Sequence, residues 1–376
     1  MYSTQMRHQK KDLEPAFLAL IRGRLTIARL LKPIPAAALM LLTVLFCAPC
    51  KAATADWSSS APAWFPDSRH LVYLGTEGSR RMGIFDYDVS SGRINQIPVK
   101  VSAFLQAPTV SPDGKRIAFA VSRSGPPSIE SDIYVADSDG GHLSKVVSNG
   151  FSNSGPAFSL NGDTLFYAQA RVLKHYSPIV SSHLHEMDLA AIDLNSRRQA
   201  EMTKGRYYEI SAPAVDPTDG SVVVVMPGDR KDPNWQTPVP ELTRFKWNHA
   251  TLQDRQELRP DLSSFLQTDP RTVQYLNFYP WQDIYSPTFD SRGRLYFLWP
   301  TTNPETGDYD YETYRWDPKT SRTERLTNLH SHVSEVRPSP DGKWLALEVD
   351  EPGRYARVYL YSLDSREMRE VPAPWK

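Results

Sequence analysis

The sequence predicts an all-β protein: a six-bladed β-propeller of four-stranded antiparallel blades, preceded by an N-terminal signal segment. Three observations predict it. A turn unit recurs six times, five copies starting with proline and one with Val336, each copy leads into a short strand that is apolar on both faces, and the repeats follow a leader that is basic and then apolar.

The leader comes first. The run 34–48 is apolar throughout, follows Arg22, Arg24, Arg29 and Lys32, and precedes Ala53-Thr54-Ala55, a small-x-small cleavage pattern. That is the layout of a secretory signal peptide. The apolar run is shorter than the roughly 20 residues that cross a bilayer as a helix. The expected division is therefore 1–55 as signal or targeting segment and 56–376 as propeller, with an uncleaved N-terminal anchor as the alternative. Cys47 and Cys50, the only cysteines, lie within or beside this leader, so they read as leader residues instead of a redox or zinc half-site.

The body repeats itself. Its clearest unit is Pro108-Thr109-Val110-Ser111-Pro112-Asp113-Gly114-Lys115-Arg116-Ile117, and Val336-Arg337-Pro338-Ser339-Pro340-Asp341-Gly342-Lys343-Trp344-Leu345 is a near copy. Degenerate copies start at Pro62, Pro156, Pro213 and Pro287, and successive starts lie 46, 48, 57, 74 and 49 residues apart. Four-stranded blades of roughly 40–50 residues suit these gaps, with insertions in the two long ones. Within a unit Pro presets φ for the turn, Asp tolerates its second position, and Gly takes the left-handed conformation that closes it. The next strand, such as Leu71-Val72-Tyr73-Leu74 or Val222-Val223-Val224-Val225, is apolar on both faces, as a strand covered by sheets on either side must be. A third strand (Ile133-Tyr134-Val135-Ala136-Asp137) and a more polar fourth (143–147, 93–97, 323–327 and 367–371) complete the unit. The last unit contains all four of its own strands, so exchange of a strand between the termini is not expected.

Composition narrows the functional classes. Of 43 basic and 43 acidic residues, eight and two fall in 1–55, which leaves the body at about −6. No basic stripe is present to neutralise a phosphate backbone, so nucleic acid is set aside as a partner.

At Ser111-Pro112-Asp113-Gly114-Lys115 and Ser339-Pro340-Asp341-Gly342-Lys343, with the Ile133-Tyr134-Val135 and Arg325-Leu326-Thr327 strands, the chain resembles the TolB-like (WD-like) propeller repeat family. The resemblance covers most of 57–373 and is specific for fold. It implies a stand-alone propeller, lacking the small α/β domain that precedes the TolB propeller. It also implies a periplasmic location and an envelope protein or polysaccharide as partner, a peptidoglycan-associated lipoprotein among the candidates. No membrane span is expected after signal cleavage, and the expected state is monomeric. Other family members are peptidase caps and oligogalacturonate lyases, so the fold alone does not name an activity.

No catalytic residue is assigned. Gly150-Phe151-Ser152-Asn153-Ser154 lacks the last glycine of a nucleophile elbow and lies at a blade junction. No phosphate loop and no His-Glu-x-x-His motif occurs. His183/His185 and His330/His332 are spaced to share one face of a strand. Lyases of the resembled superfamily hold a divalent metal with such histidines, whereas histidine pairs in loops also occur without metal. No cofactor is therefore expected, with a divalent cation at the channel left open. Asp308-Tyr309-Asp310-Tyr311-Glu312 alternates like a calcium loop but lacks its glycine, and reads as the start of a strand.

The junction loops are the better candidates for a site. Four residues before each unit start stand Ser58, Phe104, Ser152, Glu209, Asp283 and His332. Glu209, Asp283 and His332 come from successive units and are the expected ligand-binding residues at one channel mouth; the alternative is a hydrated polar rim. The long insertions carry Trp235, Tyr279 and Trp281 beside charges, the expected partner-binding residues or else aromatics tucked onto a blade edge. The function expected is a non-catalytic scaffold that binds a protein or envelope polymer. The rival is a metal-assisted lyase or hydrolase acting on a sugar or lactone.

Overall fold

The repeated units fold into the predicted turns. In the second unit Gly114 N–H donates to Ser111 O at 2.8 Å, and Ser111 N–H to Arg116 O at 2.9 Å. Gly114, Gly162, Gly220, Gly293 and Gly342 all take φ between 72° and 75° at this position. The first unit has no glycine there, and Ser68 takes φ 58° in its place. The structure is a computed structural model that describes residues 57–375, apart from 79–80, 102–103, 123–129, 175–182, 232–237, 249–250, 269–283, 308 and 351–354. The leader predicted for 1–55 lies outside the described residues.

Strands flank each turn and pair antiparallel in sequence order. β1 (Trp57–Trp64), β2 (His70–Glu77), β3 (Arg81–Asp88) and β4 (Ile94–Ile97) form the first run. The second is β5 (Phe104–Val110), β6 (Arg116–Ser122), β7 (Ser131–Asp137) and β8 (Ser144–Val147). The third is β9 (Ser152–Phe158), β10 (Thr164–Lys174), β11 (His183–Asp193) and β12 (Gln199–Glu201). β13 (Ala214–Val215), β14 (Val222–Lys231), β15 (Pro238–Trp247) and β16 (Leu252–Glu257) make the fourth, and a short helix α1 (Ser263–Thr268) follows it. The fifth holds β17 (Tyr285–Phe289), β18 (Leu295–Thr302), β19 (Tyr309–Asp317) and β20 (Arg322–Arg325). The last is β21 (His332–Pro338), β22 (Trp344–Asp350), β23 (Arg357–Ser362) and β24 (Met368–Glu370). Two single parallel pairings, Ser131↔Ser152 and Tyr311↔His332, tie the second run to the third and the fifth to the sixth.

Hydrophobic packing turns these runs into a propeller-like arrangement. The second strand of each run is buried on both faces, and its alternate residues enter two different cores. Val72 and Leu74 of β2 pack with Ile117 and Phe119 of the second run, whereas Leu71 and Tyr73 pack with Ala346, Val358 and Leu360 of the last. Phe166 and Ala168 of β10 face Val222 and Val224 of the fourth run, whereas Leu165 and Tyr167 face Ile133 and Val135 of the second. The remaining cores join the fourth run to the fifth and the fifth to the last. The last run therefore closes on the first.

The closure uses no exchanged strand, in keeping with the four strands that the final unit supplies. Backbone and side-chain contacts stitch it instead. Ser59 N–H donates to Ala356 O at 3.0 Å, and Val358 N–H to Ser59 Oγ at 2.7 Å. Trp64 Nε1 donates to Arg337 O at 2.9 Å, Asp341 N–H to Ser68 Oγ at 2.9 Å, and Arg357 stacks over Trp57 at 3.8 Å. No helix among the described residues is long and apolar enough to cross a membrane.

One local expectation is corrected. Ser58, Phe104, Ser152 and His332 were placed in junction loops, but they lie within β1, β5, β9 and β21. The first strands do not begin at the unit proline. They pass through a bulge there and continue to pair, as in Phe104↔Ser122 and His332↔Asp350. At the bulge Ala61, Ala107, Gly155 and Ser286, each preceding a unit proline, take φ of 44° to 57°.

Gly155 is the one glycine among these bulge residues. A Cβ there would lie 2.5 Å from Ala212 Cβ. Gly155→Ala is expected to lower stability by about 1–3 kcal/mol, measured as a shift in the urea midpoint at unchanged m-value. Gly150→Ala, at φ 79° but with open space around it, tests the contribution of backbone strain alone.

Candidate functional site

The first strands of the runs surround a central cavity of about 500 Å³. Pro66, Pro112, Leu160, Pro217 and Pro340 of the turns form its rim. Such a volume lies in the range of sites for small molecules or for an inserted side chain. The cavity reaches the turns, and neither Phe104 nor His332, at the far ends of their strands, lines it.

Repeat geometry makes the wall readable position by position. The residue before each unit start is Ala61, Ala107, Gly155, Ala212 and Ser286 in the first five runs, and Glu335 in the sixth. The residue after it is Ala63, Thr109, Ala157, Ala214 and Thr288, and Arg337 in the sixth. Small side chains suit positions where the first strands converge on an axis. The sixth run alone places two long charged ones there, and Glu335 and Arg337 both line the cavity. A third departure lies on the neighbouring strand. At the position occupied by Leu74, Ala120, Ala168, Val225 and Leu298, the sixth run carries Glu348.

These three residues form one group. Arg337 pairs with Glu335, and its Nη1 donates to Ser286 Oγ at 3.1 Å and to Val336 O at 2.9 Å. Glu335 and Glu348 are register partners across β21 and β22. Glu348 Oε2 accepts the Ala61 N–H at 2.7 Å. Burial, and then the nearby Glu335 charge, push the Glu348 carboxyl up to about 7. The wall thus offers a fixed cation beside an anion, backed by a carboxyl that can hold a proton near neutral pH. Asp290, the other acid lining the cavity, is committed to Arg294 at 2.5 Å and Tyr296 at 3.2 Å.

Of the residues singled out in the sequence, Glu209 and His332 are described and neither lines the cavity. Glu209 is exposed on the segment before β13. His332 opens β21, the strand of Glu335 and Arg337, with its Nε2 3.7 Å from Asp350 and its ring edge-on to Tyr311. Asp283, Trp235, Tyr279 and Trp281 lie outside the described residues. The side chain of His183 does too, while His185 is buried with Nδ1 3.1 Å from Tyr208 O. His330 precedes β21 at φ 51°, off the strand that His332 begins. Among the described residues no group of three or more His, Cys, Asp and Glu is placed to hold a metal ion.

Two other segments have structural explanations. Ser152 and Asn153 are buried in β9, with Asn153 N–H donating to Ser131 Oγ at 2.7 Å. Tyr309–Asp317 is strand β19, and Glu312 within it accepts from Leu329 N–H at 2.7 Å and Thr327 Oγ1 at 2.6 Å. The Glu335, Arg337 and Glu348 group was missed because charge alone was weighed at a single offset, four residues before each unit. Comparing the copies residue by residue would have exposed it.

No family model matches the chain. The Tol-Pal system protein TolB of Francisella tularensis subsp. tularensis (strain WY96-3418) is 30% identical over 90 residues, which is 24% of this chain and 20% of that protein. The match thus spans a fifth of the length of this curated relative. Among solved structures, TolB from Acinetobacter baumannii superposes with a TM-score of 0.53 at 16% identity, over 81% of this chain and 63% of that one. An oligogalacturonate lyase in complex with manganese superposes with a TM-score of 0.52 at 11% identity, over 84% of this chain and 78% of that one. The chain shares the β-propeller fold of these proteins.

The pair in the wall makes a mutational test. Arg337→Thr alone leaves Glu335 and Glu348 facing each other without their cation. It is expected to cost about 1–3 kcal/mol more than the double variant E335A/R337T, which copies the other runs and should stay within about 1 kcal/mol of the parent. Thermal or urea denaturation of the cycle at pH 8 measures both.

Proposed function

We propose that the chain is an exported, periplasmic, six-bladed β-propeller that serves as a non-catalytic scaffold, binding an envelope protein or envelope polymer at its central cavity. The six four-stranded runs and the cyclic order of their cores support the blade count. The basic and apolar leader, with the 90-residue likeness to TolB, supports export and an envelope role. A peptidoglycan-associated lipoprotein is the first partner to try, and the scaffold acts as a monomer.

One observation carries the binding reading: a ring of small side chains is interrupted in one run by the paired Glu335 and Arg337. An apolar rim of prolines receives an apolar group and excludes water. The ion pair within then selects and orients a polar one, as a few placed polar groups do in apolar pockets. In this reading the contact surface also takes in Glu209 and His332, together with the sequence candidates Asp283, Trp235, Tyr279 and Trp281.

The test is capture from a detergent-solubilised envelope fraction, followed by direct titration of the captured protein. The parent is expected to capture a partner that E335A/R337T loses by tenfold or more in affinity, about 1.4 kcal/mol. Retention by E335A/R337T, with loss in E209A/H332A, would move the site to Glu209 and His332.

A second reading has its own support. Glu335 lines the cavity and lies in register with Glu348, whose carboxyl is pushed up to about 7, a pairing suited to proton transfer in a lyase or hydrolase acting on a sugar or lactone. Metal content separates the two. Stoichiometric manganese, zinc or calcium in protein purified without chelators favours the metal-assisted enzyme, and a metal-free protein that binds its partner favours the scaffold.

A further inference from the structure

The seam between the last and first runs and the charged wall of the cavity share one side chain. Ala61 lies in the bulge of β1 at φ 48°, where its N–H has left the β1–β2 ladder, and Pro62 after it has no N–H at all. A backbone N–H removed from its ladder needs another acceptor. Glu348 of β22 supplies it from across the seam at 2.7 Å. The equivalent residue in every other run is apolar, so the repeat fold does not itself require a carboxyl there.

We infer that Glu348 is a protonation-sensitive latch, which ties closure of the ring at Ala61 to the charge state of the Glu335–Arg337 wall. The groups that set its state can be named. Glu335 lies opposite on β21 and is held by Arg337, and Ser334 on the same strand places its hydroxyl 3.5 Å from Glu348 O. Asp350 lies two residues along β22, and it faces His332 at 3.7 Å. The Ala61 N–H approaches from β1.

The sign follows from the raised carboxyl. Below the ordinary glutamate value of 4.5 the group is protonated in both folded and unfolded chains. Between 4.5 and about 7 the folded chain keeps a proton that the unfolded chain has released, so stability falls as pH rises through this window. Above about 7 a second anion stands beside Glu335: the Ala61 N–H holds the carboxylate more strongly than the acid, but burial and the Glu335 charge outweigh that gain, so opening of the seam, which solvates the carboxylate, becomes easier. The latch also deepens the reading of the cavity as a binding site, on which this consequence rests. A cationic ligand group at Glu335 offsets the new anion and favours proton release. An anionic group that draws Arg337 away from Glu335 favours proton uptake. Linkage makes each effect reciprocal.

The latch is tested in ligand-free full-length protein, independently of any partner. Hydrogen exchange of the Ser59, Ala61 and Val358 amides, corrected for intrinsic rates, is followed from pH 5.5 to 8.5. Protection in the parent is expected to fall about three- to tenfold between pH 5.5 and about 7 and to level off above it. Glu348→Gln keeps the shape and the acceptor and should give a flat profile, while Glu335→Gln should move the parent transition to lower pH. The same pH dependence in parent and Glu348→Gln would overturn the latch. A direct readout on the parent, the carbon-13 shift of the Glu348 carboxyl, needs no variant. A midpoint near neutral pH supports the latch, and one in the ordinary glutamate range overturns it. Loss of partner capture by E335A/R337T bears on the binding reading and leaves these results unchanged.

Discussion

Every feature of the site depends on the second strand of each run being apolar on both faces. Leu71 and Tyr73 look one way and Val72 and Leu74 the other, and all are buried. Each such side chain contributes about 1.5–3 kcal/mol only if both faces are covered. A single sheet cannot cover itself, and two stacked sheets leave two outer faces wet. A closed cycle of sheets leaves none, which is why the last run packs on the first although no strand is exchanged between them.

Cyclic stacking has a geometric consequence at the centre. The first strands converge, so their side chains compete for a shrinking circumference. Small residues answer this crowding in five runs, joined by left-handed bulges in four of them, and Gly155 lies close against Ala212. The sixth run answers differently. Glu335 and Arg337 fit because they pair with each other, and because the Ser286 hydroxyl accepts from the guanidinium. Repetition thus acts as an internal control: what the fold needs appears six times, and what appears once asks for another explanation.

The same comparison gives Glu348 its interest. A carboxyl in place of Leu, Ala or Val has lost solvation, gained a like-charged neighbour and taken up a backbone N–H from the adjoining run. Each of these has a cost or a benefit that changes with one proton. The seam where the chain's last strands meet its first therefore carries a carboxyl whose proton bears on its closure.

The sequence by itself determined the turns, the recurrence of four strands and the both-faced apolar strands. Those rest on local φ preferences and on periodicity, which are written into consecutive residues such as Pro112-Asp113-Gly114 and Ile117-Ala118-Phe119. It also held the three departures of the sixth run, though only a comparison of copies makes them visible. Tertiary structure alone decided that the first strands run on through the bulge to Phe104 and His332. It alone placed the cavity among the turns and brought Glu348 to Ala61, 287 residues away in sequence. Which end of a strand faces a cavity, and which carboxyl reaches across a seam, depends on how far pairing continues and on ring closure. Both are set by contacts between distant segments, for which no local pattern in the chain stands.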